Sequence, residues 1–262
     1  MVNRPRLLAA LAAAPAAVAA ADILPAATWL PTVRAVFFPA LDGRGNRDHV
    51  ALTFDDGPDP RSTPYFLREL DRLGVRATFF LQGAAVLRHP ALVRRMVTEG
   101  HEAAVHCWEH QPPWLPRPLA DRAGLERAVA AVRETAGTEP RWYRPPFGVL
   151  TATRWWAARR LGLQPVLWTA WGRDWQPDAD PDSVLAQLRE RLTGGATVLL
   201  HDSDRNSAPA SWRTTLAALP RLVACCRAAG WTVGPLAEHG EPVAPQRFWR
   251  AASAWATSAD AG

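Results

Sequence analysis

From His49 onward, short apolar and β-branched runs alternate with stretches whose apolar residues recur at helical spacing. That alternation predicts repeated strand–helix units and a parallel sheet, because parallel neighbours need a crossover of the length a helix supplies. The strand candidates are Val50 to Phe54, Thr78 to Leu81, Glu102 to Val105, Trp142 to Arg144, Pro165 to Trp168, Thr197 to Leu200 and Thr232 to Val233. Helices are expected over Thr63 to Leu73, Pro90 to Glu99 and Thr153 to Leu161, stopped by Gly74, Gly100 and Gly162 where a left-handed cap would form. Pro181 to Leu192, behind Asp178 and Asp180, and Trp212 to Ala229 complete the set. Seven such strands predict an α/β fold, a distorted (β/α) barrel of about seven parallel strands.

The two ends read differently. Basic residues in Met1 to Arg6 precede the uncharged apolar run Leu7 to Ala21, which closes on small residues, the pattern of a secretory or membrane-targeting segment. We therefore expect a targeting segment over 1–21, an extension over 22–48, the catalytic domain over 49–240 and a tail over 241–262, with Phe248, Trp249 and Trp255 available to dock on the body. The expected location is exported: secreted, in the cell wall or held at the outer face of a membrane. The alternative is an alanine-rich disordered leader.

Composition narrows the classes. With 48% hydrophobic and 21% charged residues, 262 residues make one soluble domain with a sizeable core. The net charge of +5 comes without a dense basic run, so no nucleic-acid partner is expected. Cys107, Cys225 and Cys226 form no disulfide framework. The 13 tryptophans can fill core or stack on sugar rings, core being the commoner use.

Asp55-Asp56, His106, Arg144 and His201 all follow a predicted strand directly, at the edge where parallel α/β folds carry their sites. Asp55 and Asp56 could be a buried carboxylate pair or a turn cap. His106 and His110, four residues apart, would share a metal if they lay on one helical turn. Arg144 could balance a buried carboxylate or be an ordinary surface residue. His201 could be core, or an acid held by a carboxylate such as Asp174.

In this order, Thr53-Phe54-Asp55-Asp56-Gly57-Pro58, His106 to His110, Arg144-Pro145-Pro146-Phe147-Gly148, Arg173-Asp174-Trp175 and Leu199-Leu200-His201-Asp202 resemble the motifs of the polysaccharide deacetylase family, also called the NodB-homology domain or carbohydrate esterase family four. The resemblance runs from about His49 to Gly240. It implies Asp55 as catalytic base, Arg144 as the residue keeping that base ionised, His201 as general acid and Asp174 as its orienting carboxylate. It implies Asp56, His106 and His110 as ligands of a divalent metal, zinc before others. Phe147, where the family usually carries Tyr, would supply a backbone N–H to the oxyanion, and Leu199 and Trp175 would wall the acetyl methyl. The implied partner is an N-acetylated glycan, peptidoglycan or chitooligosaccharide, handled by a monomer with room for membrane or wall association.

Three positions depart from the family pattern: Val105 replaces Asn, Cys107 replaces Ser or Thr, and Trp171 stands where an Asp is frequent. The family's motif spacing implies that His101 is structural, and Cys107 is expected to be a buried hydrophobe before a fourth ligand. Two alternatives stay open: a non-catalytic wall-binding protein on the same fold, or a hydrolase of another bond, such as an acetylxylan ester or a small cyclic amide.

Overall fold

The computed structural model describes residues 22–111 and 117–240, so residues 1–21, where a targeting segment is expected, and the tail from Glu241 lie outside the described residues. The strands are β1 (His49–Asp55), β2 (Thr78–Gln82), β3 (Glu102–Cys107), β4 (Trp142–Tyr143), β5 (Gln164–Pro165), β6 (Ala170–Trp171), β7 (Thr197–His201) and β8 (Thr232–Gly234). Seven run in the order β5-β4-β3-β2-β1-β7-β6, every pairing parallel, which is the expected curled (β/α) barrel. The eighth, β8, pairs His49–Ala51 at the start of β1, while β2 pairs Thr53–Asp55 at its end.

The period of two along each strand places the chemistry. Val50, Leu52 and Phe54 of β1 join Phe79, Val105, Val198 and Leu200 in the main core, against the helices. Ala51 points the other way, into a second cluster with Phe80, Ala104, Trp142, Val166 and Leu236 inside the curl. Continuing that inner row brings Thr53 and Asp55 on β1, His106 on β3, and Leu199 and His201 on β7 to one end of the interior.

The helices are α1 (Pro31–Phe37), α2 (Thr63–Leu73), α3 (Gly83–Arg88), α4 (Pro90–Thr98), α5 (Pro118–Ala136), α6 (Ala152–Arg160), α7 (Pro181–Arg189) and α8 (Ser211–Ala228). Five match the expected ones, and α2 ends on Gly74 at φ 63°, a conformation that favours glycine. The sequence reading lacked α1, α3 and the 19-residue α5. It also ran one strand through Pro165 to Trp168, whereas β5 ends at Pro165 and the next strand, β6, begins only at Ala170 on the opposite edge of the sheet. The chain between them crosses the open side of the barrel, which interrupts the ladder.

The stretch 22–48 packs over that opening. Leu167 N–H donates to Leu41 C=O at 2.9 Å, and Leu41 is buried. Arg34, on α1 and 5% exposed, donates to Asp42 at 2.7 Å, to Thr28 C=O at 3.0 Å and to Trp168 C=O at 2.9 Å. Among the described residues no helix is long and apolar enough to cross a membrane.

Candidate active site

Asp55 ends β1 pointing inward beside Arg144, a fully buried arginine just past β4. Arg144 Nη1 donates to Asp55 Oδ1 and to Thr53 Oγ1, both at 2.7 Å, and Nη2 donates to Leu167 C=O at 2.9 Å. Its guanidinium also lies 4.0 Å from the centre of the Phe80 ring. Burial pushes the Asp55 carboxyl above its ordinary value while the Arg144 charge restrains that rise, giving a carboxyl group more basic than a surface one.

Asp56 turns away, at φ 80°, the left-handed region that separates its carboxylate from that of Asp55. Gln82 Nε2 donates to Asp56 Oδ1 at 2.9 Å, and His106 Nε2 lies 3.6 Å from the same oxygen. One donor atom each from Asp56, His106 and His110 lie within 4.8 Å of one another, the donor group among the described residues close enough to share an ion. His106 Nδ1 faces Arg144 C=O at 2.8 Å, so its ring N–H is taken there and Nε2 keeps a lone pair for a cation. Burial pulls the His106 pKa down to about 3 and lowers that of His110, holding both rings in the neutral, ligating form. Two imidazoles and a carboxylate with open positions beyond them are a donor set that suits zinc.

The expected helical turn carrying both histidines is absent. His106 lies on β3 and His110 just past the bend at Trp108 and Glu109, with ring centres 5.3 Å apart, so the strand end and the bend bring them together. Cys107, one step along β3, points to the helix side, where it lines a separate cavity with Tyr143 and Arg154. Burial raises its thiol well above the ordinary value, which keeps it protonated and out of the donor group. His101 is structural: its Nδ1 accepts from Ala77 N–H at 3.2 Å, and burial lowers its pKa to about 4.

His201 ends β7 opposite Asp55. Its Nδ1 lies 3.0 Å from Asp174 Oδ1, and Asp174 Oδ2 accepts from His201 N–H at 2.8 Å and from Thr215 Oγ1 at 2.7 Å. Burial alone would depress this imidazole, but the Asp174 carboxylate, with Asp56 and Asp55 beyond it, lifts it to about 9. At neutral pH it carries a proton.

Phe147 has φ 57° and its ring edge meets His110 at 4.4 Å. One cavity of about 470 Å³ is lined by Asp55, Asp56, His106, His110, Phe147, Trp175, Leu199 and His201. Every candidate site residue named in the sequence borders it except Arg144 and Asp174, which stand behind Asp55 and His201.

The sequence alone did not place the rest of the wall, Trp29, Gly148, Val149, Trp168, Trp171, Asn206 and Ser207, although it marked Trp171 as a departure from the family pattern. Trp168 stacks on Trp171 at 5.8 Å between ring centres, Trp171 meets Trp175 at 5.3 Å, and Trp175 meets His201 edge-on at 5.6 Å. It missed also the anchor beneath the Asp55-Asp56 loop. There Thr63 Oγ1 donates to buried Asp202, Asp59 N–H donates to Thr63 Oγ1 at 2.9 Å, and Ser203 Oγ donates to Asp59 at 3.1 Å. Gly57 has no alternative in that anchor, since a Cβ would come within 2.6 Å of the Asp202 carboxylate.

A curled parallel sheet with a carboxylate–imidazole cluster at the carboxyl ends of its strands defines the class to which the comparisons assign the chain. Residues 42–166 match the model of the polysaccharide deacetylase family. The chain is 38% identical over 205 residues to a chitooligosaccharide deacetylase of Bradyrhizobium sp. (strain ANU 289), covering 74% of this chain and 91% of that one. It is 34% identical over 193 residues to a peptidoglycan-N-acetylglucosamine deacetylase of Listeria monocytogenes, covering 73% of this chain but only 40% of that longer protein. A family 4 carbohydrate esterase from Streptomyces lividans, solved with acetate, superposes with a TM-score of 0.65 at 33% identity, covering 77% of this chain and all of that one. The chain belongs to the polysaccharide deacetylase family.

Proposed function

We propose that this protein hydrolyses N-acetyl groups from a glycan containing N-acetylglucosamine, peptidoglycan or chitooligosaccharide, releasing acetate and leaving a free amine. The observation that carries the reading is one cavity holding three differently prepared groups: the Asp56–His106–His110 donor set, Asp55 paired with buried Arg144, and His201 held protonated by Asp174. A divalent cation bound by Asp56, His106 and His110, zinc by donor type, would polarise the acetamide carbonyl and acidify a water.

The protein's own groups then divide the work. Asp55 takes the proton of the attacking water, its basicity raised by burial and its charge kept by Arg144. The Phe147 N–H donates to the developing oxyanion, a role that needs only main chain and so tolerates Phe in place of Tyr. His201 gives its proton to the departing amine. Leu199 and Trp175 flank the acetyl methyl and exclude water beside it. The apolar run Leu7 to Ala21 supports an exported location, and the glycan-deacetylating relatives support the substrate class.

Acetate release from acetylglucosamine oligomers and wall glycan, with and without chelator and zinc add-back, tests this, with free amine counted alongside acetate. Asp55→Asn is expected to lower kcat by about a hundredfold or more, the usual scale for losing such a group. Activity that survives both chelation and Asp55→Asn defeats the mechanism, and acetate without amine makes the enzyme an esterase.

A further inference from the structure

The indole wall of the cavity has a second side. Trp29, Trp168 and Trp171 line the cavity of about 470 Å³, and the same three residues line an adjoining hollow of about 130 Å³. Across the wall from Asp55 and His201, the hollow is bordered by Arg173, Arg191, Gln187 and Glu190. Arg173 is exposed, sits at φ 51°, and holds its guanidinium 5.1 Å from the centre of the Trp171 ring. Arg191 is exposed just beyond α7. Neither enters an ion pair among the described residues, although many other arginines here do. The one acidic residue on the hollow, Glu190, accepts from Gln187 at 3.3 Å. Arg34, also on the border, is neutralised by Asp42.

Two unneutralised guanidiniums against one carboxylate leave this rim positive. It lies beside flat indole faces that suit a sugar ring, and a guanidinium fork matches a carboxylate in two-point contact. We propose that the hollow is a subsite for the sugar unit next to the one being deacetylated, and that it selects a unit bearing a carboxylate. The inference rests on the reading that the cavity takes an N-acetyl sugar. It points to acidic wall glycan over neutral acetylglucosamine homopolymer. The carboxylate could belong to a lactyl ether on the sugar or to a peptide stem attached there. Trp171 then has a purpose: it carries the sugar platform and the Arg173 guanidinium together, where an Asp would repel the acidic unit.

The test uses the zinc-loaded full chain and four tetrasaccharides: acetylglucosamine tetramer, alternating wall glycan with free lactyl carboxylates, the same glycan with those carboxylates converted to methylamides, and glycan carrying peptide stems. At low salt kcat/KM for the free-carboxylate glycan, or for the stem-bearing one, is expected to exceed that for the methylamide by about tenfold, with the advantage shrinking in 0.5 M salt as screening sets in. Whichever acidic glycan gains identifies the source of the carboxylate. Arg173→Gln and Arg191→Gln are each expected to cut that ratio, and the double variant to bring it near one. A variant that merely damages the fold lowers both substrates together and keeps the ratio, which counts against the subsite. A ratio of one in the parent, or one unchanged in the double variant, overturns the proposal. If no glycan is turned over, the deacetylase reading fails, while indole fluorescence titration of the metal-free chain with the same fragments still decides the subsite by the ratio of affinities.

Discussion

Two carboxylates adjacent in sequence have opposite surroundings, and their chemistry follows from that. Asp56 is turned by a positive φ toward Gln82 and His106, whereas Asp55 stays on the inner row of β1 against Arg144. Because Arg144 is fully buried, replacing its partner strands a charge in a low-dielectric site. Asp55→Ala is therefore expected to lower unfolding stability by about 3–5 kcal/mol, the scale for breaking a buried pair, besides abolishing turnover. Denaturant unfolding of parent and variant reads this, and equal midpoints would mean that solvent reaches Arg144. His201 gives the pH dependence. Its proton is present below about 9 and lost above, so the rate should fall as pH rises through about 9. Asp174→Asn removes the strongest influence raising that value, so the alkaline limb should move to lower pH; an unmoved limb would separate His201 from the acid step.

At the scale of elements, the barrel is closed by a segment that precedes its first strand. Arg34 ties Asp42, Thr28 and Trp168 together across the opening, and Trp168 and Trp29 are wall residues of the cavity. Asp42→Ala should thus loosen the wall without touching the reacting groups, raising KM more than it lowers kcat. Steady-state kinetics decides: a fall in kcat alone would mean the segment serves catalysis and not binding. This closure was illegible in the sequence, where 22–48 reads as an extension, because its partners lie more than a hundred residues away, as Arg34 and Trp168 do. The long strands β1, β2, β3 and β7 were legible because burial on both faces writes an unbroken apolar run. Strands β4 and β5 were legible only as short apolar runs with misplaced ends, and β6, two residues long, is too short for any period to show. Helix α5 was missed because its buried face mixes alanines with Leu125, Val129 and Val132, so the stripe contrasts weakly with the Ala and Arg around it. Asp55, His106 and His201 were legible because they end long strands, and His110, Arg144 and Asp174 through the motifs around them; the cavity-facing role of Trp29 and Trp171 was not, since a tryptophan in sequence does not say whether it faces core or cavity.

At the scale of the whole molecule, three buried histidines at the opposite end from the site make folding depend on pH. His239 Nε2 lies 3.0 Å from Gly43 C=O and 3.1 Å from Gly195 C=O, so its ring N–H is there and its Nδ1 is an acceptor. His49 Nδ1, at 2.8 Å, must be the donor to it. Protonating His239 would set two N–H groups against each other across the joint between β1 and the end of β8. Burial lowers the pKa of His239 to about 4, that of His101 to about 4, and that of His49 below its ordinary 6.5. A histidine depressed by folding binds its proton more readily in the unfolded chain. Acidification through 6.5 therefore favours unfolding, and the loss grows until the pH reaches the folded value near 4. His101 and His239 each contribute a slope of about 1.4 kcal/mol per pH unit within that window, so their penalty builds between pH 6.5 and 4 and is absent above 7.5, and His49 acts in the same direction. Thermal unfolding of the zinc-loaded protein should show a steep fall in Tm below pH 6.5, and a separate decline as pH rises toward about 9, where His201 loses the proton that Asp174 holds. His101→Asn and His239→Asn, though less stable at neutral pH, should each flatten that fall, because each removes one proton taken up on unfolding. A Tm unchanged between pH 7 and 5, or a slope untouched by either substitution, would place the acid sensitivity in the carboxylates.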